Sequence, residues 1–350
     1  MAKMKDIVAV DLFCGAGGLT HGLLKSKIKV VAGFDIDKHC KYPYEKNNPG
    51  AIFYKKDISE LKKSELEALY PKNCIKLLAG CAPCQPFSTY SQGRDSSIDK
   101  KWPLLYSFSR LIRETLPEIV TMENVPDVTK HKVYHDFVGE LEKLGYNIWA
   151  DKVYCPDYGV PQVRKRHVLL ASRVSGISLI PATTPKHKHL TVSDTIKSLP
   201  KIPAGGKDLK DPLHISAGLS ELNLKRIKAS QPGGNWKDWP EELLAECHKK
   251  ESGRTYVSVY SRMEWDKPSP TITTQCYGFG NGRFGHPDQH RALSLREAAL
   301  LQSFPKTYQF IEKGKSISIS TIGRLIGNAV PVKLGTAIGK SITEHIKEIK

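Results

Sequence analysis

Apolar residues in the first half of the chain form short runs that alternate with amphipathic stretches. The run "IVAVDL" at residues 7–12 is typical of a buried strand, and the "LTHGLLKS" that follows it is typical of a short helix. By the same criteria we predict strands at 7–12, 29–34, 51–54, 75–79, 118–122, 146–154 and 167–172, with helices between them that include 103–115 and 133–144. This alternation indicates an α/β fold with a doubly wound, mostly parallel sheet.

The pattern changes after residue 180. Stretches such as "PATTPKHKHL", "LPKIPAGGKDLKDP" and "QPGGNWKDWP" are rich in Pro, Gly, Lys and Trp, and they predict a second, smaller and irregular domain. Amphipathic patterns return in "ALSLREAALLQSFP" and "STIGRLIGNAVPVKLGTAIGKSI", and we predict one helix in each. The chain therefore divides into one domain of 1–180 with 315–350 and another of 181–314.

The composition is that of a globular protein, since 40% of the 350 residues are hydrophobic and 25% are charged. No apolar run reaches the roughly 18 residues of a membrane span, and no signal-peptide pattern opens the chain, so we expect a cytoplasmic protein without a membrane segment. The net charge of +17 favours a polyanionic partner such as nucleic acid, although a basic surface that only maintains solubility would carry the same charge.

The stretch "DLFCGAGG" joins the first predicted strand to a helix. Its glycines allow a tight turn and a close approach of backbone to ligand, and Asp35 lies twenty residues after Gly15, where a carboxylate can bind ribose hydroxyls. The glycine spacing departs from G-x-G-x-x-G, so a nucleoside-bearing cofactor fits better than a pyrophosphate. A purely structural connection is the alternative.

Two of the eight cysteines, Cys81 and Cys84, follow a predicted strand in "GCAPCQPFSTYSQG". A pair of this spacing can be half of a zinc site or a redox pair, but a zinc site needs two further ligands. Cys84 begins a polar loop at the carboxyl end of the sheet, where ligands bind, and a nucleophilic role fits it better.

Two further motifs place charged groups near predicted strands. Glu123 and Asn124 end a strand in "MENV", and Gln162, Arg164 and Arg166 alternate at a predicted strand start in "QVRKR", so that they would face one side. Each motif has a plain alternative, a surface acid for the first and a solvated edge strand for the second.

Taken together, "DLFCGAGG", "PCQPFS", "ENV", "QVRKR" and "GNAVP", in this order, resemble the DNA (cytosine-5) methyltransferases of the prokaryotic, restriction–modification type. The resemblance spans residues 7–172 and about 290–340. It implies a Rossmann-like catalytic domain that binds S-adenosylmethionine and releases S-adenosylhomocysteine, and it makes 181–314 the target-recognition domain. It further implies that double-stranded DNA is the partner and that the enzyme acts as a monomer, without an obligate protein partner or a metal ion.

The resemblance also implies roles for individual residues. Cys84 attacks C6 of a flipped-out cytosine, Glu123 meets N3 and the exocyclic amine, and Arg164 contacts the base. Gln162, Arg166 and Asn124 support them. Cofactor contacts are implied for Asp11, Phe13, Gly15, Gly17, Gly18, Asp35, Ile36, Asp57, Ile58, Pro83, Leu104, Asn328 and Val330, and DNA contacts for Ser88, Tyr90, Thr271, Thr273 and Arg283.

Three other functions remain as alternatives. A tRNA cytosine-5 methyltransferase would share the cofactor pocket, but that branch lacks a large insert between "QVRKR" and "GNAVP". A nucleotide-dependent oxidoreductase leaves "PCQ" and "QVRKR" unexplained. An inactive DNA-binding relative would not need Cys84 and Glu123.

Overall fold

The computed structural model describes residues 5–83, 103–316 and 318–349. They form two compact units, which we call unit 1 (Met1–Tyr158, Lys165–Ala182 and Val330–Lys350) and unit 2 (Gly159–Arg164 and Thr183–Ala329). The division expected from the sequence differs at three places, because 159–164 and 315–329 group with unit 2 and 181–182 group with unit 1.

Unit 1 contains one seven-stranded sheet in the order β3-β2-β1-β4-β5-β7-β6. The strands are β1 (Ile7–Leu12), β2 (Lys29–Asp35), β3 (Ile52–Lys55), β4 (Ile75–Gly80), β5 (Ile119–Asn124), β6 (Asn147–Tyr154) and β7 (Lys165–Ser172). Only β7 runs against its neighbours, β5 and β6. The predicted mostly parallel α/β sheet is confirmed, and in sheets of this kind ligands bind at the carboxyl ends of the central strands.

The helices of unit 1 are α1 (Gly18–Lys25), α2 (Lys41–Asn47), α3 (Lys63–Glu67), α4 (Pro103–Thr115), α5 (Lys132–Lys143) and α11 (Val332–Glu348). The rings of Phe108 on α4 and Phe137 on α5 pack 5.4 Å apart in a core that includes strand residues such as Val120. On another pair of helices, a Cβ atom added to Gly22 of α1 would come within 2.4 Å of the Gly335 carbonyl carbon of α11. This close approach requires glycine.

Unit 2 contains the short helices α6 (Val192–Ile196), α7 (Glu221–Ala229), α8 (Glu246–Lys249), α9 (Leu295–Leu301) and α10 (Ile319–Asn328). Among its described residues there is no β-strand, only isolated bridges such as that between Lys207 and Ile215. Its aromatic cluster packs Trp239 edge-on to Tyr260, with ring centres 5.3 Å apart. The irregular character predicted for this region is confirmed.

One helix prediction is wrong. The stretch "STIGRLIGNAVPVKLGTAIGKSI" forms two helices, α10 and α11, because Pro331 lacks an amide hydrogen and disfavours the helical conformation at Val330. None of the described helices is long and apolar enough to span a membrane.

Candidate active site

The turn between β1 and α1 has the geometry that the glycine-rich motif predicts. Gly15 and Gly17 have φ angles of 52° and 88°, and Phe13 has 58°, so the backbone passes through left-handed conformations. A Cβ atom at Gly15 would meet no atom of the described residues within 4 Å, so the residue is favoured by conformation and leaves space beside the turn in that part of the chain.

Asp35, at the end of β2, braces this turn. Its carboxylate accepts hydrogen bonds from the backbone amides of Gly15 at 3.0 Å and of Asp37 at 2.9 Å. Burial raises the pKa of Asp35, and the two amides oppose that effect. The twenty-residue spacing read from the sequence therefore brings Asp35 to the tip of the turn.

Asp11, in β1, is fully buried. One carboxyl oxygen accepts a hydrogen bond of 2.6 Å from the Thr20 hydroxyl, and the other has no hydrogen-bond partner among the described residues. Burial raises the pKa of Asp11 to about 7, and the nearby charge of Asp35 adds to this effect. A buried, half-satisfied carboxyl is costly to the fold unless a ligand or proton meets it.

Most residues for which the sequence predicted cofactor contacts lie beside the carboxyl ends of β3, β2, β1 and β4. Ile36 is 66% exposed, and the Asp57 carboxylate accepts a hydrogen bond from the Ser59 amide at 2.8 Å. Ile58 lies within the hydrophobic core. Of the other predicted contacts, Gly18 and Val330 are buried, Leu104 is half-buried, and Pro83 and Asn328 are exposed. Asn328 lies at the end of α10, in unit 2.

Glu123 and Arg166 form an ion pair at the ends of β5 and β7. The Arg166 Nε atom lies 2.9 Å from the Glu123 Oε1 atom, and the two side chains are only 13% and 8% exposed. The contact is an ion pair by distance, since Glu123 Oε1 has no hydrogen-bond partner among the described residues, and separating the two shielded charges would be strongly unfavourable. The carboxylate thus lies at the carboxyl edge of the sheet, as its position after a strand predicts.

The chain that leads from β4 toward Cys84 is fixed on both sides. The Cys81 amide donates to the Leu12 carbonyl at 3.2 Å, and the Asn124 side-chain amide donates to the Ala82 carbonyl at 3.2 Å. Burial and the charge of Glu123 raise the pKa of the Cys81 thiol well above its usual value, so this cysteine is neutral.

Cys84, Ser88 and Tyr90 lie outside the described residues. Within the part of the chain that the structure describes, no group of three His, Cys, Asp or Glu residues could hold a metal ion. The zinc interpretation of Cys81 therefore gains no further ligands there.

The expected alternation in "QVRKR" is wrong for two of its three residues. β7 begins at Lys165, so the two-residue period of a strand applies to Arg166 but not to Gln162 or Arg164, which belong to unit 2. There the Gln162 amide donates to the Leu301 carbonyl at 2.9 Å, and the buried Arg164 donates to the Ile272 carbonyl at 3.0 Å. Both side chains brace the backbone of unit 2.

The three residues of unit 2 with predicted DNA contacts are more accessible. Thr273 and Arg283 are exposed, and Thr271 is half-buried with its hydroxyl donating to the Val163 carbonyl at 3.1 Å. The sequence gave no signal for Thr20 or Tyr44, whose hydroxyl groups lie 3.1 Å apart beside Asp11.

The chain is similar to known proteins along almost its whole length. The family model for C-5 cytosine-specific DNA methylases matches residues 7–344. Type II methylase M.HgiDII of Herpetosiphon aurantiacus is 54% identical over 341 residues, which cover 97% of the chain and 95% of that protein. Type II methyltransferase M.Eco47II of Escherichia coli is 30% identical over 350 residues, with 97% and 79% covered.

Solved structures agree on the fold. A DNA modification methyltransferase encoded within an E. coli prophage superimposes with a TM-score of 0.74 at 21% identity, covering 98% of the chain and all of that structure. The S. pombe Dnmt2 methyltransferase gives 0.62 at 18% identity, covering 99% and 100%. With a methyltransferase fold and a family match over nearly its full length, the chain belongs to the C-5 cytosine-specific DNA methylases and is a DNA cytosine-5 methyltransferase.

Proposed function

We propose that the protein transfers a methyl group from S-adenosylmethionine to carbon 5 of a cytosine that is flipped out of double-stranded DNA within one specific sequence. The transfer proceeds through a covalent bond between Cys84 and C6 of the base. The names of the relatives support a modification enzyme of a type II restriction–modification system, which would act as a monomer in the cytoplasm.

The observation that carries the proposal is the shielded pair of Glu123 and Arg166. A carboxyl group fixed at the ligand-binding edge of the sheet can hydrogen-bond N3 and the exocyclic amine of an extruded cytosine. Withdrawal of electrons at N3 makes C6 a better electrophile, and Arg166 holds the carboxyl group in place for this contact.

Cys84 supplies the nucleophile, since cysteine is intrinsically the most nucleophilic of the common side chains as a thiolate. The Cys84 thiolate forms a bond to C6, and the electrons of the C5–C6 double bond would then bond C5 to the methyl group that S-adenosylmethionine supplies, with S-adenosylhomocysteine as the leaving group. Transfer of the C5 proton to a water molecule then re-forms the C5–C6 double bond and expels the Cys84 thiolate from C6. Asn124 contributes by holding the Ala82 carbonyl, two residues before the nucleophile.

The residues of unit 1 fit the cofactor that this reaction needs. Among the described residues, the first turn has space beside Gly15, an oxygen of Asp11 without a hydrogen-bond partner, and the exposed apolar side chain of Ile36. When bound, S-adenosylmethionine supplies a methyl group on a positively charged sulfur and leaves as S-adenosylhomocysteine. Asp35 and Asp57 offer carboxylate acceptors, and Phe13, Gly17, Gly18, Ile58, Pro83, Leu104 and Val330 complete the proposed set in this unit.

We assign catalysis and cofactor binding to unit 1 and target recognition to unit 2. The target carbon is inaccessible inside a duplex, so extrusion of the base requires a few kcal/mol that DNA contacts must offset. The net charge of +17 favours phosphate binding. Arg283 and Thr273 are exposed candidates for such contacts, Thr271 is a further one, and Ser88 and Tyr90 complete the set proposed from the resemblance.

The test is to incubate the purified protein with S-adenosylmethionine and unmethylated genomic DNA, and to read 5-methylcytosine at single-base resolution, with tRNA in parallel. We expect modification of cytosine in one short DNA context and none in tRNA. Modified tRNA beside unmodified DNA would contradict the proposal, as would methylation of DNA by the Cys84→Ala variant.

A further inference from the structure

A chain of buried polar side chains connects β1, α1 and α2. The Thr20 hydroxyl lies 2.6 Å from the Oδ2 atom of Asp11 and 3.1 Å from the Tyr44 hydroxyl, and all three side chains are shielded from water. Buried polar groups are stable in a core only when they bond to one another, and a chain of such bonds fixes each member in position.

The position of Tyr44 depends on the absence of a side chain in β2. A Cβ atom at Gly33 would come within 2.3 to 2.6 Å of the Tyr44 ring and hydroxyl. The Asn48 side-chain amide donates to the Tyr44 carbonyl at 2.8 Å, and the Phe53 ring packs 5.9 Å away. The ring is therefore held so that its hydroxyl reaches Thr20.

These three hydrogen-bonded side chains connect the two ends of the glycine-rich turn. Asp11 precedes the turn and Thr20 follows it in α1, nine residues later, while Asp35 holds the tip through the Gly15 amide. Two carboxylates thus hold the turn in place: Asp11 bonds to the helix that follows it, and Asp35 bonds to the Gly15 amide within it.

The groups around Asp11 come from several neighbouring elements. The Thr20 hydroxyl of α1 and the Asp35 carboxylate of β2 act on the pKa of Asp11, whereas burial and the charge of Asp11 are among the causes that raise the pKa of the Cys14 and Cys81 thiols. Burial raises the pKa of Asp11 to about 7, and the hydrogen bond from Thr20 opposes this effect. Since one oxygen has no partner among the described residues, a cationic ligand would stabilise the ionised form.

We propose that Thr20 and Tyr44 are positioning residues of the cofactor site, which hold Asp11 so that its carboxylate is available to the positive charge of S-adenosylmethionine. The inference rests on the cofactor proposed above. It assigns a role to two residues outside the turn motif, and it makes cofactor affinity depend on the ionisation of Asp11.

The consequence is a pH profile of binding. If only the ionised form binds well, affinity for S-adenosylmethionine is about tenfold higher at about pH 8 than at about pH 6. Thr20→Val removes the hydrogen bond that favours the carboxylate, so the midpoint of the profile moves up by about one pH unit. Thr20→Ser restores the hydroxyl and the original midpoint, and Tyr44→Phe moves the midpoint upward by less.

The experiment is isothermal titration of the full-length chain with S-adenosylmethionine between about pH 5 and 9, with thermal unfolding recorded for every variant. Asp11→Asn should remove the pH dependence of S-adenosylmethionine affinity that comes from the protein. The part that comes from titration of the ligand itself remains, and it is the same for all variants. Tyr146→Phe is the matched control, because its buried hydroxyl donates to the Pro117 carbonyl instead.

The outcomes separate the two proposals. No binding of S-adenosylmethionine by the wild type at any pH would overturn the proposed function. Binding by the wild type together with an unchanged midpoint in Thr20→Val, or in Tyr44→Phe if the first variant is unfolded, would overturn only the role of the buried chain.

Discussion

Unit 1 and unit 2 satisfy their buried backbone groups by different means. In unit 1 the amides and carbonyls of the core pair along seven strands, whereas every buried arginine among the described residues belongs to unit 2. Arg262 alone donates to the carbonyls of Ile227, His286 and Pro287 at 2.7 to 3.2 Å. In unit 2, guanidinium groups donate the hydrogen bonds that neighbouring strands provide to backbone carbonyls in a sheet.

The difference shows how an irregular region can still be a folded one. A guanidinium group has five donors in a rigid fork, so one side chain can tie together segments that share no secondary structure. Arg291 binds Glu297 with both ends of its fork and also donates to the Ile202 carbonyl at 3.1 Å. We therefore expect unit 1 to depend on apolar packing and unit 2 to depend strongly on single charged side chains.

The largest effect should come from a change in unit 1 at the carboxyl group of the proposed mechanism. Glu123→Gln keeps the shape of the side chain but removes the proton-binding carboxyl group, and we expect a loss of about 100-fold or more in methyl transfer. The measurement is kcat on a duplex that contains the target sequence, with Glu140→Gln, a surface ion-pair variant, as the control. Full activity in Glu123→Gln would remove this residue from the mechanism.

The next effect concerns unit 2. Arg262→Met retains most of the volume but leaves several carbonyls without donors, so we expect a loss of about 3 to 5 kcal/mol in the free energy of unfolding of unit 2. Hydrogen exchange of peptides from each unit locates the loss. Arg283→Met removes an exposed arginine and should change stability by less than about 0.5 kcal/mol. Equal effects of the two substitutions would show that unit 2 does not depend on its buried arginine.

A smaller loss of stability, equal in the two units, is expected when one buried methylene group is removed from each. Ile112 and Ile227 are both fully buried, and either change to Val should lower the free energy of unfolding by about 0.5 to 1.5 kcal/mol. Denaturant titration checks both. A much larger loss for Ile227→Val would mean that apolar packing, not the arginine network, dominates unit 2.

The smallest expected difference between the two units is in how their stability depends on pH. Burial raises the pKa of Asp11 to about 7, so the folded chain holds a proton that the unfolded chain has released, and the contribution of Asp11 to the stability of unit 1 falls as pH rises from about 4 to 7. Burial lowers the pKa of His286 to about 4, so in unit 2 stability falls as pH decreases from about 6.5 to 4.

Hydrogen exchange between these pH values should show opposite slopes in the two units. Asp11→Asn should remove the slope of unit 1 and His286→Gln that of unit 2. A slope that persists in either variant would assign it to other groups.

How far the sequence predicted the structure differs between these regions. Strands such as 7–12 and 75–79 were predicted within a residue or two, since a parallel strand buried on both faces is apolar throughout. The break at Pro331 and the start of β7 at Lys165 were missed. In both places amphipathic or alternating side chains continue through a change in backbone conformation.

The candidate site shows the same limit. Asp35 and Glu123 were predicted at the sheet edge, because residues that follow parallel strands gather there. No sequence pattern indicated that the Arg164 guanidinium donates to the Ile272 carbonyl, 108 residues away in sequence. Contacts over such distances have no local pattern.

By itself, the sequence determined the α/β fold, the order of the motifs and the family of the protein, because strand hydrophobicity and motif spacing are local properties of the chain. Only the tertiary structure decided that Asp11 is buried with one oxygen that has no partner among the described residues, that the Thr20 and Tyr44 hydroxyls lie beside it, and that buried arginines bind the backbone of unit 2. These features depend on which side chains exclude water from one another, and that is settled by packing between segments distant in sequence.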